Sequence, residues 1–211
     1  AERDGLARLG TGGALDVGFA PATRGPGSVW AAKTLPDGTL LVGGNFVSVN
    51  GTERKRLARL NPDGSLDPAF DPGDGADSDV RAIVVQSDGK LVVGGDFTVF
   101  DGVQRSHVAR LSAGGALDPG FDPGSGPNDR VLALGVDGDG RVIVGGDFWT
   151  VDTQWRQSVA RLEADGSLDG TFEPECVACG GNVQAIAVEQ SGRVLVGGNF
   201  NQGGGGAGNR I

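Results

Sequence analysis

Four segments of the chain are near-copies of one another: Leu6-Ala7-Arg8-Leu9, Leu57-Ala58-Arg59-Leu60, Val108-Ala109-Arg110-Leu111 and Val159-Ala160-Arg161-Leu162. Ala7, Ala58, Ala109 and Ala160 stand 51 residues apart each time. A constant interval of that size means one structural unit repeated, so the fold has to be read at the level of the unit. A second marker, Val-Gly-Gly-Asn/Asp-Phe, ends at Phe46, Phe97, Phe148 and Phe200, in steps of 51, 51 and 52. A third, Leu-Asp, keeps the 51-residue step at Asp16, Asp67, Asp118 and Asp169, which puts one inserted residue between Asp169 and Gly197. The 211 residues therefore read as a single repeat domain, and function is to be sought where the copies differ.

The second unit shows the local structure best. Val80 to Gln86 is rich in β-branched residues and suits a buried strand. Asp88-Gly89 marks a hairpin, because both residues tolerate positive φ, and Lys90 to Phe97 makes the return strand. His107 to Leu111 reads as a third strand, followed by a second turn at positions held by Gly12-Gly13, Asp63-Gly64, Gly114-Gly115 and Asp165-Gly166. The short apolar stretch after it, Ser65 to Phe70, contains Pro68, which confines it to a sheet edge or a non-strand role. No segment has helical apolar spacing, and 40 glycines oppose helix at roughly 1 kcal/mol each. The expectation is an all-β chain: a β-propeller of four repeats, each a four-stranded antiparallel blade, closed by pairing of its N- and C-terminal strands. A fragment of a longer ring, or several chains assembling, is the rival arrangement.

Charge and length exclude some classes of function. With 27 acidic against 18 basic residues the net charge is −9, which disfavours a nucleic acid partner. No apolar run approaches the roughly 20 residues of a membrane-crossing helix, and no charged-apolar-small leader opens the chain, so a soluble or mature segment is expected. Cys176 and Cys179 fall in the region of the inserted residue. A C-x-x-C pair can be a redox dithiol, half a zinc site or a small disulfide loop. Redox pairs normally open a helix, and a structural zinc needs four ligands where His107 is the sole histidine. A local disulfide is the favoured reading, free thiols the alternative, and a disulfide would point to an oxidising compartment.

The run Ala58-Arg59-Leu60-Asn61-Pro62-Asp63-Gly64-Ser65-Leu66-Asp67-Pro68-Ala69-Phe70, followed by Val84-Val85-Gln86-Ser87-Asp88-Gly89-Lys90-Leu91-Val92-Val93-Gly94-Gly95-Asp96-Phe97, resembles the delta-60 repeat family. The likeness extends over essentially the whole chain; the first copy departs most, with Gly10-Thr11-Gly12-Gly13 at the turn and Trp30 in the first strand. The resemblance implies a bacterial β-propeller-like repeat, part of secreted or cell-surface proteins. It carries over no catalytic residue.

Several constellations are candidate sites. Arg8, Arg59, Arg110 and Arg161 recur with Asp16, Asp67, Asp118 and Asp169, and four identical copies point to a repeated structural bridge rather than to chemistry. The glycines of the Gly-Gly motif are expected to allow close backbone approach, its phenylalanine to fill the space between sheets. Asp71, Asp74, Asp77 and Asp79 crowd one loop and could hold calcium, the one cofactor the sequence suggests, with Asp137 and Asp139 flanking another turn. Solvated turn aspartates are the commoner explanation of such loops. After the Gly-Gly motif the copies diverge: Glu53-Arg54, Gln104-Arg105 and Trp155-Arg156 occupy equivalent positions. Trp155, Arg156, Arg105, Arg54 and Trp149 are therefore the candidate ligand-binding residues, with packing between blades as the competing role for either tryptophan.

Three functions follow. The first is a non-enzymatic extracellular or cell-surface module that binds or displays a protein or carbohydrate partner through variable loops, since no nucleophile stands beside a base. The second is a polysaccharide-acting hydrolase or lyase using Asp96 and Asp147. The third is a structural subunit that self-associates through incomplete terminal strands.

Overall fold

The computed structural model describes residues 4–174 and 181–199. In the first repeat the elements are β1 (Thr23–Arg24), β2 (Val29–Thr34), β3 (Leu40–Gly44), β4 (Ser48–Val49), β5 (Thr52–Glu53) and β6 (Leu57–Leu60). The second holds β7 (Val80–Val85), β8 (Leu91–Gly95), β9 (Val99–Phe100), β10 (Val103–Gln104) and β11 (Val108–Leu111). The third holds β12 (Val131–Val136), β13 (Val142–Gly146), β14 (Thr150–Val151), β15 (Gln154–Trp155) and β16 (Val159–Leu162), and the fourth β17 (Asn182–Val188) and β18 (Val194–Asn199). No helix is long and apolar enough to cross a membrane among the described residues.

Three antiparallel sheets have the same order, β2-β3-β6, β7-β8-β11 and β12-β13-β16, and β17-β18 begins a fourth. The expected hairpin at Asp88-Gly89 forms because Gly89 takes φ 83° and the Asp88 carboxylate accepts the Lys90 N–H at 3.0 Å. Every first strand carries a bulge at the same place, between Val29 and Ala31, Val80 and Ala82, Val131 and Ala133, and Val183 and Ala185.

The sheets stack in chain order, with β7 against β2 and β3, β12 against β7 and β8, and β17 against β12 and β13. The core consists of the layers between them. Leu41 and Leu57 of the first repeat pack with Val80, Leu91 and Val93 of the second, and Val92 and Val108 of the second with Val131, Val142 and Val144 of the third. Gly94 permits this approach: a Cβ there would lie 2.5 Å from Val131 Cγ1. Phe46, Phe97 and Phe148 fill the layers and are fully buried.

Two expectations are not met among the described residues. The predicted fourth strand of each unit is only a single bridge, Leu60 to Leu66, Leu111 to Leu117 and Leu162 to Leu168. The aspartate that follows stops it. The Asp67 carboxylate accepts the Ala69 N–H at 2.9 Å, and Asp118 and Asp169 bind the N–H groups of Gly120 and Thr171 likewise, turning the chain before a ladder can grow. Ring closure is not seen either: among the described residues no sheet combines strands from the two ends. Leu9, lacking a Gly-Gly strand beside it, is 63% exposed, whereas its counterparts Leu60, Leu111 and Leu162 are at most 1% exposed.

Candidate functional site

The repeated arginines hold consecutive repeats together. The Nε atoms of Arg59, Arg110 and Arg161 donate to Asp67, Asp118 and Asp169 at 2.7, 2.8 and 2.7 Å, and each guanidinium lies over a phenylalanine, Phe70, Phe121 or Phe172, at 5.1, 4.8 and 4.8 Å. Arg59 and Arg110 also reach across the boundary, donating to the carbonyls of Ala113 and Ala164 in the next repeat at 2.8 and 2.5 Å. Arg8 repeats the arrangement, on Asp16 at 2.9 Å and on the Pro62 carbonyl.

These carboxylates make stability depend on acid. Burial alone would raise Asp118, but the Lys90 ammonium, the Gly120 N–H and Arg110 outweigh it and hold the group at about 2. Asp169 is also at about 2, burial being overcome by the Thr171 hydroxyl and N–H and by Arg161. The ordinary value is 3.8, so between the two values the unfolded chain binds more protons than the folded one. The stabilisation is complete above roughly pH 5 and is lost as pH falls through about 4 towards 2. Urea midpoints measured from pH 7 to pH 2 are expected to stay level to about pH 5 and then drop; midpoints that rise on acidification would contradict the assignment.

Asp96 and Asp147, the candidates for glycosidic chemistry, are engaged in ion pairs. Arg81 binds Asp96 through two hydrogen bonds of 2.6 and 2.7 Å, and Arg130 lies 2.5 Å from Asp147. The Arg81 pKa is raised chiefly by the Asp96 hydrogen bond. Arg81 also lies 5.2 Å from the Trp30 ring centroid, and both occupy the bulge position of their strands. Sequence reasoning did not find this contact. Its trace was the variation Trp30, Arg81, Leu132, Gln184 at one repeat position.

The acidic loop does not converge on a point. Asp77 accepts the N–H groups of Thr98 and Val99 at 2.8 and 3.1 Å and the Thr98 hydroxyl at 2.9 Å. Asp71 accepts the Gly73 N–H at 3.2 Å, Asp79 lies 3.3 Å from Arg81, and the backbone N–H of Asp74 is held by Asp101. Asp137 and Asp139 both bind Arg141. Among the described residues no three His, Cys, Asp or Glu are grouped so as to hold a metal ion. Cys176 and Cys179 lie outside the described residues.

The third repeat differs at its outer hairpin. β14 and β15 pair Thr150 with Trp155, and Asn128 anchors the approach by accepting the N–H groups of Trp149 and Thr150 at 2.8 and 2.9 Å. Trp149 and Trp155 thereby meet, with ring centroids 5.6 Å apart and planes tilted 56°, while remaining 46% and 61% exposed. Neither is packed away between sheets. The equivalent positions hold Val47 and Thr98, and Glu53 and Gln104, so the indole pair belongs to this repeat alone.

The three neighbouring arginines are alike. Arg54, Arg105 and Arg156 fold back onto the preceding carbonyl at 2.9, 2.9 and 2.8 Å, with Arg105 and Arg156 nine-tenths or nearly so buried. They sit largely beneath the hairpins in the same way in three repeats, so what sets the third repeat apart is its tryptophans. Beside them Trp155, Arg156, Gln157, Glu173 and Pro174 line an open depression of about 350 Å³. Glu173 is 74% exposed and lies 3.8 Å from Arg156.

Small antiparallel sheets stacked in chain order, with variable hairpins carried outside them, define an all-β protein of the propeller type. The model of the family described as "Domain of unknown function (DUF5122) beta-propeller" matches residues 35–70, 86–121 and 138–172, just over half of the chain, and the protein belongs to that family. Among solved structures the chain is similar to the WD40 β-propeller domain of Doa1, with 15% identity, a TM-score of 0.57, and coverage of 83% of this chain and 49% of that one. It is also similar to the extracellular domain of the putative one component system BT4673 from B. thetaiotaomicron (14%, TM-score 0.49, 82% of this chain and 21% of that one). A third is PorZ, a surface component of the type-IX secretion system of Porphyromonas gingivalis (14%, TM-score 0.47, 93% and 29%). The chain thus spans about half of the first of these and less of the others, and at 15% identity the likeness to the first bears on the fold alone. No curated protein matches the chain.

Proposed function

We propose that this protein is a non-enzymatic binding or display module of the bacterial surface or exterior, presenting a protein or carbohydrate partner with the outer hairpin of its third repeat. The Trp149–Trp155 pair carries the reading. Two half-exposed indoles bring a large apolar area to the surface of a chain with three tryptophans and no tyrosine, and aromatic side chains on a rigid frame are the commonest binding anchors. The engagement of Asp96 and Asp147 by Arg81 and Arg130 supports binding over hydrolysis. The surface location rests on the resemblance of the repeat.

Trp155→Ala is expected to weaken capture of the partner at least tenfold, as loss of a central aromatic anchor does, and to leave the unfolding midpoint nearly unchanged. The comparison is made on an array of immobilised oligosaccharides and on bacterial surface proteins, with the native chain alongside. Capture equal for the two chains would remove the hairpin from function, and release of reducing sugar from any array member would overturn the non-enzymatic reading.

A further inference from the structure

Resting on that binding reading, we infer that the Trp149–Trp155 hairpin and the adjoining depression form a subsite for a neutral oligosaccharide of hexose units. Three features of the site select this class of ligand.

The first is the geometry of the rings. With centroids only 5.6 Å apart the indoles touch each other, so no gap is left between them for a caged ammonium group. They make a platform instead. A tilt of 56° gives it two faces at an angle, which one flat group cannot cover at once but successive pyranose rings, turned relative to one another about a glycosidic bond, can.

The second is charge. Arg156 is about nine-tenths buried and donates to the Trp155 carbonyl, so it presents no open cation to a uronate, sulfate or phosphate, while the exposed carboxylate beside it is Glu173. The depression has one positive and one negative side chain in its wall, and the chain as a whole carries −9. An anionic ligand would be repelled, and a cationic one would meet no surplus of negative charge within the site itself.

The third is the pairing of apolar and polar surface. A hexose has a C–H face and an equatorial rim of hydroxyls. The C–H face stacks on Trp155, and the rim hydroxyls donate to the Glu173 carboxylate, which is open to solvent and only loosely engaged at 3.8 Å. A volume of about 350 Å³ lies at the small end of ligand sites and accommodates one or two rings. A protein hot spot would instead call for a deep, desolvated pocket.

The test uses the indole N–H resonances of the whole chain, which number three, one each for Trp30, Trp149 and Trp155. Trp30 lies under Arg81 on a first strand and serves as the internal control for folding. Cellotetraose, maltotetraose, mannotetraose and β-galactotetraose are titrated to about 10 mM, a range that captures millimolar sites. Polygalacturonate oligomers and choline chloride are the charged probes. At least one neutral oligosaccharide is expected to shift the Trp149 and Trp155 signals and leave Trp30 in place. Trp155→Ala should lower that affinity at least tenfold, and Glu173→Gln, which keeps the shape and loses the charge-assisted hydrogen bonds, several-fold.

The inference is overturned if no neutral oligosaccharide moves the two signals, if Trp30 moves equally, or if Trp155→Ala binds like the native chain. Shifts of Trp149 and Trp155 with choline, the uronate or a surface protein alone would also overturn it, while leaving the binding module intact. Failure of the module itself shows differently, as partner capture indifferent to Trp155→Ala.

Discussion

Replacing Gly146 by alanine is expected to remove about 3 kcal/mol or more of folding stability, a large share of the roughly 5 to 15 kcal/mol that a domain has. The reason is not backbone conformation, since Gly146 is not among the glycines with positive φ. It is the bulge opposite. Between Val131 and Ala133 the first strand takes in an extra residue, and this swings the Arg130 carbonyl over the Gly146 Cα, well inside van der Waals contact of any Cβ built there. The carbonyl cannot retreat cheaply, because it accepts the Asp147 N–H at 3.0 Å, while Gly146 itself donates to the Ser158 carbonyl at 3.0 Å. A methyl group therefore displaces one strand from the other or breaks a buried backbone hydrogen bond, and overpacking of this kind costs about 1–3 kcal/mol before the lost bond is added. Ser28 over Gly44, Asp79 over Gly95 and Asn182 over Gly198 repeat the arrangement, so the second glycine of each motif is fixed by the bulge of its own sheet. Gly138→Ala is the control: nothing lies within 4 Å of its Cβ position, and a change within about 0.5 kcal/mol is expected. Urea denaturation of the two variants checks the contrast, and a Gly146→Ala midpoint near that of the native chain would show that the sheets yield where the packing says they cannot.

Much of this architecture was legible in the sequence because it repeats. A 51-residue period, an Asp-Gly between β-branched runs and two glycines before a phenylalanine each have one simple structural meaning, and β7, β8 and β11 form where they say. The fourth strand failed because alternation of apolar residues was weighed against Pro68 alone. The side chain of Asp67, closing a turn on the Ala69 N–H, decides the matter, and a carboxylate's choice of backbone partner cannot be read from apolar alternation. The contacts of the acidic loop were not legible for a related reason. Asp71, Asp74, Asp77 and Asp79 are close in sequence, yet their contacts lead to different partners: Asp71 to the Gly73 N–H, Asp77 to Thr98 and Val99, Asp79 to Arg81, and the Asp74 backbone N–H to Asp101.

At the candidate site, comparison between copies singled out the outer hairpin of the third repeat but not every residue around it. Trp149 and Trp155 stood out as departures from Val47, Thr98, Glu53 and Gln104, and the structure brings them together. Arg156 stood out only through its neighbour. Arg54 and Arg105 share its fold-back geometry, so the cation serves three repeats and the indole pair one. Glu173 was missed because it is 18 residues from Trp155 and carries no motif; only the return of the chain past the third sheet places it at the rim. The contact between Trp30 and Arg81 was hidden by the bulge, which re-aims one side chain per strand and cannot be read from alternation.

Burial decides how much each copy of the arginine bridge contributes, and the largest effect is expected at Arg110. Its side chain is 8% exposed and its partner Asp118 14% exposed; it donates to that carboxylate, to the Gly120 carbonyl and, across the repeat boundary, to the Ala164 carbonyl, and it covers Phe121 at 4.8 Å. Arg110→Ala leaves a mostly buried carboxylate and a carbonyl short of donors and opens space above a phenylalanine. Removing one member of a buried pair costs about 3–5 kcal/mol, and the Lys90 ammonium, 2.9 Å from Asp118, keeps the expected loss near the lower end. Arg8, in the same Ala-Arg-Leu motif, is 43% exposed and its partner Asp16 35%, so Arg8→Ala should cost less than about 1 kcal/mol. Asp118→Ala in the Arg110→Ala background completes a double-mutant cycle. The two losses should be far from additive, since the second substitution removes the charge that the first left without its main partner. Equal costs at Arg8 and Arg110, or strict additivity of Arg110 with Asp118, would mean that the bridges are surface pairs in every repeat and that the contacts between sheets are carried by apolar packing alone.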